Sequence, residues 1–361
     1  MRRTRGRTVE VDSLRPRPPP GLRHRLPERL AGPRRRPDRR AAALAATDVT
    51  GALFLGCTFA DGGDDDVRRR GAIVFPRLPD VPVEVYRSRL YTPQELLRHR
   101  RLPDLARDAR AYAWAGSGVD PDLAASLHDH AIDEALGRLG RRTPPGRRDG
   151  GHSLQRGRPE YAYAAELGRA LGRTHVVTTG GGPGAMEAAN LGAYLAAAPR
   201  EALVEALEVL GRAPSFTPDV GAWVGAAFDV LHEHPHGTDT LGIPTWHYGH
   251  EPPNPFATRI AKYFRNATRE AILLEVCDSG IVFLPGAAGT LQEVFQDACE
   301  NYYADESSIA PMVLVGREHW TETVPAWQLL TTLARGRAME SHVHLVDTVE
   351  EAAALVRSPD A

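Results

Sequence analysis

Strand and helix signals alternate along much of this 361-residue chain, and the alternation predicts an α/β fold built on a doubly wound parallel sheet. Two stretches carry the prediction. In one, Ile281-Val-Phe-Leu284 is a short apolar run of the kind a buried parallel strand needs, closed by Pro285-Gly286. A glycine-rich turn follows to Gly289, and a helix begins near Thr290. In the other, His175-Val-Val-Thr-Thr runs into Gly180-Gly-Gly-Pro-Gly184 and then a helix through Met186, Glu187 and Asn190. Ligands of such sheets bind at the carboxyl ends of the strands, where both glycine turns would lie.

Composition bounds the rest. The length suits one large α/β domain and a smaller one, and 42% hydrophobic residues support a core. A formal net charge of -2 argues against a globally basic nucleic-acid binder. Cys57, Cys277 and Cys299 show no paired spacing, so free thiols in a reducing compartment are expected. No apolar run reaches the length of a membrane span, and the N-terminus lacks the apolar core of a secretion signal. These features point to a cytoplasmic protein. Lys262 is the only lysine; with abundant Ala, Gly and Pro, this skew reads as a coding bias, and the many arginines say little about partners.

Taken in order, residues 1–45 are Arg- and Pro-rich and are expected to form a disordered tail. Residues 46–145 read as a small α/β accessory region. Gly51 to Cys57 and Gly71 to Pro76 look like strands on either side of an acidic turn at Asp64–Asp66. Thr92-Pro-Gln-Glu95 opens a helix with a capping residue and proline at its first position, and another helix runs from Asp122 to Leu139.

Residues 146–361 are expected to form a Rossmann-like nucleotide-binding domain. Pro144 to Gly151 is polar and rich in Gly and Pro, with no apolar strand. Pro159 to Leu171 is an amphipathic helix with Tyr163, Leu167 and Leu171 on one side. A long helical stretch extends to about Gly211, another helix spans Ala222 to Val230, and Leu241-Gly-Ile-Pro244 ends a strand. Phe256 to Val276 reads as one helix on which Lys262, Arg265 and Arg269 share a face. Ala310 to Val315 is a further strand. His128-Asp-His130 and His232-Glu-His-Pro-His236 invite a metal. Sequence neighbours on a helix point to different faces, however, and the second group lacks a clear fourth ligand, so no metal is expected.

The chemistry lies in the turns. Gly286 and Gly289 allow close backbone approach, and a helix N-terminus presents unpaired amides and about half a positive charge to an anion. Thr290 adds a hydroxyl, and Glu293 sits one turn on along the same face. Gly181, Gly182 and Gly184 repeat that logic in the first turn. Thr290-Leu-Gln-Glu293 also matches a capping box, in which both side chains would serve the helix's own end. Gly180-x-Gly182-x-x-Ala185 formally fits a dinucleotide fingerprint. The acidic residue that should end the next strand falls instead at Glu201 or Glu205 in a helical run, which weakens an NAD(P)-dependent oxidoreductase.

Gly180 to Asn190 together with Pro285-Gly-Ala-Ala-Gly-Thr-Leu-Gln-Glu293 closely resembles the LOG family of nucleoside 5′-monophosphate phosphoribohydrolases, often mislabelled lysine decarboxylase. Glu251-Pro-Pro-Asn254 is similar to the larger bacterial nucleotide 5′-monophosphate nucleosidases of that superfamily. The resemblance covers roughly 150–303. It implies cleavage of the N-glycosidic bond of a nucleotide to free base and ribose 5-phosphate, no cofactor, and a homo-oligomer. It implies substrate or phosphate binding by Gly181, Gly182, Gly184, Met186, Glu187, Gly286, Ala287, Ala288, Gly289 and Thr290. Glu293 matches the catalytic glutamate, and the catalytic arginine is best matched by Arg269, with Arg265 the alternative. Lys262, Glu251 and Asn254 are further candidates. A non-catalytic nucleotide-binding sensor of the same fold is the other reading. A lysine decarboxylase would need pyridoxal phosphate on a Schiff-base lysine, for which only Lys262 could serve.

Overall fold

The structure is a computed structural model and describes residues 29–31, 41–78, 80–97, 106–115, 122–139, 145–149, 154–247, 249–277 and 279–356. The chain divides into two compact units: Met1–Arg89 with Gly118–Ala135, and Leu90–Ser117 with Leu136–Ala361. Most of the expected tail lies outside the described residues. Two pieces of it are ordered elements, the strand β1 (Arg29–Ala31) and the short helix α1 (Ala41–Ala45).

In the first unit, β1 pairs in parallel with β2 (Leu53–Leu55), and β2 with β3 (Ile73–Phe75). The acidic stretch between β2 and β3 is not a turn but a helix, α2 (Gly63–Arg69). Asp64, Asp65 and Asp66 occupy its first turn and Arg68 and Arg69 its last, so the charges oppose the helix dipole at both ends. Val67 of α2 packs with Phe54 and Val74 beneath the helix.

The second unit takes in α3 (Pro93–Leu97) and α4 (Arg107–Ala115). Thr92 and Glu95 close a reciprocal cap at the start of α3, each side chain accepting the other's backbone N–H at 3.3 and 3.1 Å. The division between units falls inside α5 (Asp122–Leu139).

Next come β4 (Pro145–Asp149), α6 (Pro159–Leu171), β5 (Val176–Thr179), α7 (Ala185–Tyr194), α8 (Arg200–Gly211), α9 (Val220–Glu233), β6 (Leu241–Gly242) and β7 (Arg259–Ile260). The chain finishes with α10 (Asn266–Glu275), β8 (Ile281–Phe283), α11 (Ala288–Tyr303), β9 (Met312–Val315), α12 (Ala326–Ala334), β10 (Val343–Val346) and α13 (Val349–Leu355).

The seven strands β4 to β10 form one parallel sheet in the order β10-β9-β8-β4-β5-β6-β7. Alternate residues of its strands enter different cores. Val282, Val313 and Val315 pack with α6, α7 and α13, while Ile281, Phe283, Met312 and Leu314 pack with α11 and α12. Two-sided burial of this kind explains the unbroken apolar runs and makes the sheet doubly wound, as expected.

Three further expectations are corrected. The polar stretch before Gly150 is a strand after all, and β4 is the central one, bonded to β5 on one side and β8 on the other. Its pairing rests on main-chain groups, and Pro145, which has no N–H, stands at its first residue, where a strand tolerates it. The proposed helix over Phe256–Val276 begins only at Asn266. Before it the chain runs extended as β7, and the amides of Ile260 and Tyr263 bond to the carbonyls of Tyr91 and Pro244. Lys262 and Arg269 therefore share no helix face. The long helix after Gly184 breaks between Tyr194 and Arg200, where Pro199 sets the start of α8.

Helix α7 is buried along its whole length. It lies so close to α6 that a Cβ on Gly192 would collide with the Ala165 carbonyl, and one on Gly168 with the Ala189 carbonyl. Small residues at these crossing points let β5 and its helix sit deep in the molecule.

Candidate active site

The second turn leaves β8 through Pro285, Gly286 and Ala287. Helix α11 starts at Ala288, with Ala287 as its N-cap and no side chain closing it. Thr290 is thus the third helical residue, and the capping-box reading falls away. Its Oγ1 folds over Gly286, where a Cβ would collide with it. His319 Nε2 donates to the Gly286 carbonyl, which can only accept, at 3.1 Å.

The first turn is braced from behind. Gly181 N donates to Thr179 Oγ1 at 3.0 Å, Thr179 Oγ1 donates to Asn190 Oδ1 at 2.7 Å, and Asn190 Nδ2 donates to the Val177 carbonyl at 3.2 Å. Asn254 closes the bracket. Its N–H donates to the Gly181 carbonyl at 2.8 Å and its Nδ2 to Asn190 Oδ1 at 3.0 Å. Gly181 and Gly184 have φ of 73° and 77°, values that require glycine, and Gly184 is the N-cap of α7. Met186 lies against Gly180 and Gly182.

Glu187, in the first turn of α7, is fully buried and bound by Arg156 through both carboxylate oxygens. Arg156 also donates to the Trp223 carbonyl at 2.9 Å and lies 4.3 Å over its ring. The pair cancels a negative charge that would otherwise weaken the anion-binding end of α7.

Arg269 joins the two turns. Its Nε donates to the Ile243 carbonyl at 2.9 Å, just past β6, and its Nη1 to Glu293 Oε1 at 3.0 Å. Nη2 covers Gly180, where a Cβ would strike it. The Arg269 and Glu293 side chains are only 11% and 7% exposed. The turns follow β5 and β8, which flank β4 on its two sides, a gap of about 10 Å at ordinary strand spacing. Arg265, by contrast, is the N-cap residue of α10. Glu270 accepts from Asn266 Nδ2 at 2.6 Å and from Gln292 Nε2 at 2.7 Å, tying α10 to α11.

Lys262 lies apart from the turns. It is fully buried, 2.7 Å from Asp108 Oδ1, and donates to the main-chain carbonyl of Glu251 at 3.2 Å. Trp246 Nε1 donates to the same Asp108 oxygen at 2.8 Å. Burial pushes the Asp108 carboxyl up, but Lys262 and His250 more than offset this and hold it below the usual carboxylate value. Burial pushes the Lys262 ammonium below its ordinary value against the pull of Asp108. Sequence reasoning missed Asp108, Arg156, Thr179, Asn190 and His319. Only Thr179 and Asn190 carried a signal, as polar residues at the edges of a glycine turn.

Residues 225–358 match the family model described as "Possible lysine decarboxylase". That stretch holds Arg269, the second turn and Glu293. No curated protein matches the chain. Among solved structures, the molybdenum cofactor binding protein from the phototrophic bacterium Rippkaea orientalis is 17% identical, over 59% of this chain and 95% of that one, with a TM-score of 0.37. The structural-genomics target TM1055 is 18% identical, over 58% of this chain and 97% of that one, also at 0.37. At that similarity neither bears on function. The decarboxylase in the family's description would need a lysine for pyridoxal phosphate. Here the sole lysine is sealed between Asp108 and the Glu251 carbonyl, so the residues present do not fit that group. Among the described residues no helix is long and apolar enough to cross a membrane.

Proposed function

We propose that the chain hydrolyses the N-glycosidic bond of nucleoside 5′-monophosphates, releasing free base and ribose 5-phosphate. The observation that carries this reading is Arg269, whose guanidinium covers the first glycine turn and binds Glu293 beyond the second. One site thus has amide-lined helix ends for a phosphate and an oriented carboxylate beside them. The 5′-phosphate would sit at the start of α11 with the Thr290 hydroxyl, and its binding would position the bond to be broken. As that bond lengthens, positive charge builds on the ribose, as in glycosidases, and Glu293 stabilises it and orients the attacking water. Water adds its oxygen to C1′; the base leaves with the electron pair of the C–N bond and takes up a proton. Arg269 holds Glu293 aimed through its Nη1 hydrogen bond. To this reading we add the cytoplasmic location suggested by composition and the homo-oligomer suggested by the family resemblance.

Chromatography of the products formed from a panel of monophosphates tests it. AMP or another monophosphate should yield base and ribose 5-phosphate, and Glu293→Gln should lower kcat by about 10²-fold or more while phosphate still binds. Tight nucleotide binding without base release from any monophosphate would overturn the hydrolase and leave a nucleotide-binding sensor.

A further inference from the structure

Between β6 and β7 the chain passes through Trp246, His250, Glu251 and Asn254, and three separate anchors fix this loop. Asn254 N–H binds the Gly181 carbonyl of the first turn. Lys262, fully buried, holds the main-chain carbonyl of Glu251 at 3.2 Å. Asp108 holds the Lys262 ammonium at 2.7 Å and the Trp246 indole at 2.8 Å, and lies 3.5 Å from His250 Nε2. Tyr112 packs on the His250 ring with centroids 5.3 Å apart.

The loop so fixed brings one acidic side chain to the first turn. Glu251 Oε2 lies 3.7 Å from the point a Cβ on Gly182 would occupy. Among the described residues none donates a hydrogen bond to that carboxylate. A carboxylate only accepts, so here it repels phosphate and receives donors. At the second turn Arg269 already offsets the charge of Glu293, and that end can take an anion. On a nucleotide whose phosphate sits there, the donors within reach of the first turn are the sugar hydroxyls.

We propose that the buried Lys262–Asp108 pair positions Glu251 against the first glycine turn, where its carboxylate receives the 2- and 3-hydroxyls of the substrate's ribose. The identity of the ligand rests on the nucleotide reading above. Glu251 touches the sugar; Lys262, Asp108 and His250 are positioning residues.

Calorimetric titration of the full chain with ribose 5-phosphate and 2-deoxyribose 5-phosphate tests this without turnover. Wild type should bind the ribose form about tenfold tighter, the effect of one hydrogen bond to a charged acceptor. Glu251→Gln should narrow the ratio to about threefold or less, with circular dichroism and affinity for inorganic phosphate unchanged. The double variant D108N/K262M removes both buried charges together, keeps an acceptor for Trp246, and should also narrow the ratio. Should it fail to fold, His250→Ala, which releases an exposed anchor of the same loop, takes its place with the same expectation. Equal binding of the two sugars by wild type, binding of neither, or an unchanged ratio in Glu251→Gln overturns the assignment. An unchanged ratio in the positioning variant overturns the role of the pair. Selective sugar-phosphate binding without base release from any nucleotide would sink the hydrolase and leave this inference standing; base release with equal sugar binding would do the reverse.

Discussion

At Arg269 the site asks for a flat fork with several donors. Nε serves the Ile243 carbonyl and Nη1 serves Glu293, two acceptors in different directions. A lysine is a point charge that cannot hold both in fixed geometry. Arg269→Lys should therefore lower kcat on a nucleoside monophosphate by about 10²-fold, whereas Arg265→Lys should stay within about threefold of wild type, both read from initial rates of base release. The family resemblance favoured Arg269 and left Arg265 open; in the structure Arg269 bonds Glu293, and Arg265 is the N-cap residue of α10. The turn residues and Glu293 were legible, since glycines before a helix leave a local pattern. Asp108 and Arg156 were not. Asp108 meets Trp246 across 138 positions and Arg156 meets Glu187 across 31, and no periodicity spans such gaps.

Elements show the same division. Helix α6 has the boundaries its apolar spacing predicts, and α7 follows its glycine turn as expected. What spacing does not reveal is how near the two lie. Gly192→Ala would drive a methyl into the Ala165 carbonyl, a backbone atom that cannot turn aside, and should destabilise the chain by about 2–3 kcal/mol. A lower urea midpoint with an unchanged slope would register it. Strand β4 was hidden for another reason. Its residues, Pro-Gly-Arg-Arg-Asp, lack the apolar character by which buried strands are recognised, and its place follows from its two neighbours' backbones. The 256–276 segment misled in the opposite sense, because helix-compatible spacing gave way to main-chain pairing at the sheet edge.

For the molecule as a whole, acid should act first at histidines of both units and later at Asp108 of the second. In the first, burial pushes the His128 imidazole below its ordinary value; Asp129 opposes this and Arg87 adds to it. The unfolded chain then binds more protons just below pH ~6.5, so stability is lost as pH falls from there toward the lowered folded value. In the second, Asp108 also has a lowered folded value, and its contribution is present above about pH 4 and lost as pH falls through that value. All five tryptophans lie in the second unit. His344, also in the second unit, is lowered by burial and by His342, so urea midpoints followed by tryptophan fluorescence should fall first below pH ~6.5 and again near pH 4. Those followed by circular dichroism should fall between pH 7 and 5, and His128→Gln should lessen that fall. The parallel pairing of β5 and β8 with β4, which sets both turns at the carboxyl end of the sheet, is a global property that single-strand patterns cannot state.

The seclusion of Lys262 reaches beyond the site. Since no other lysine exists in the chain, the folded protein presents no side-chain amine to an acylating reagent or an amine-directed crosslinker. Position 262 becomes reactive only in molecules whose interior has opened, and covalent tagging there counts those openings one by one.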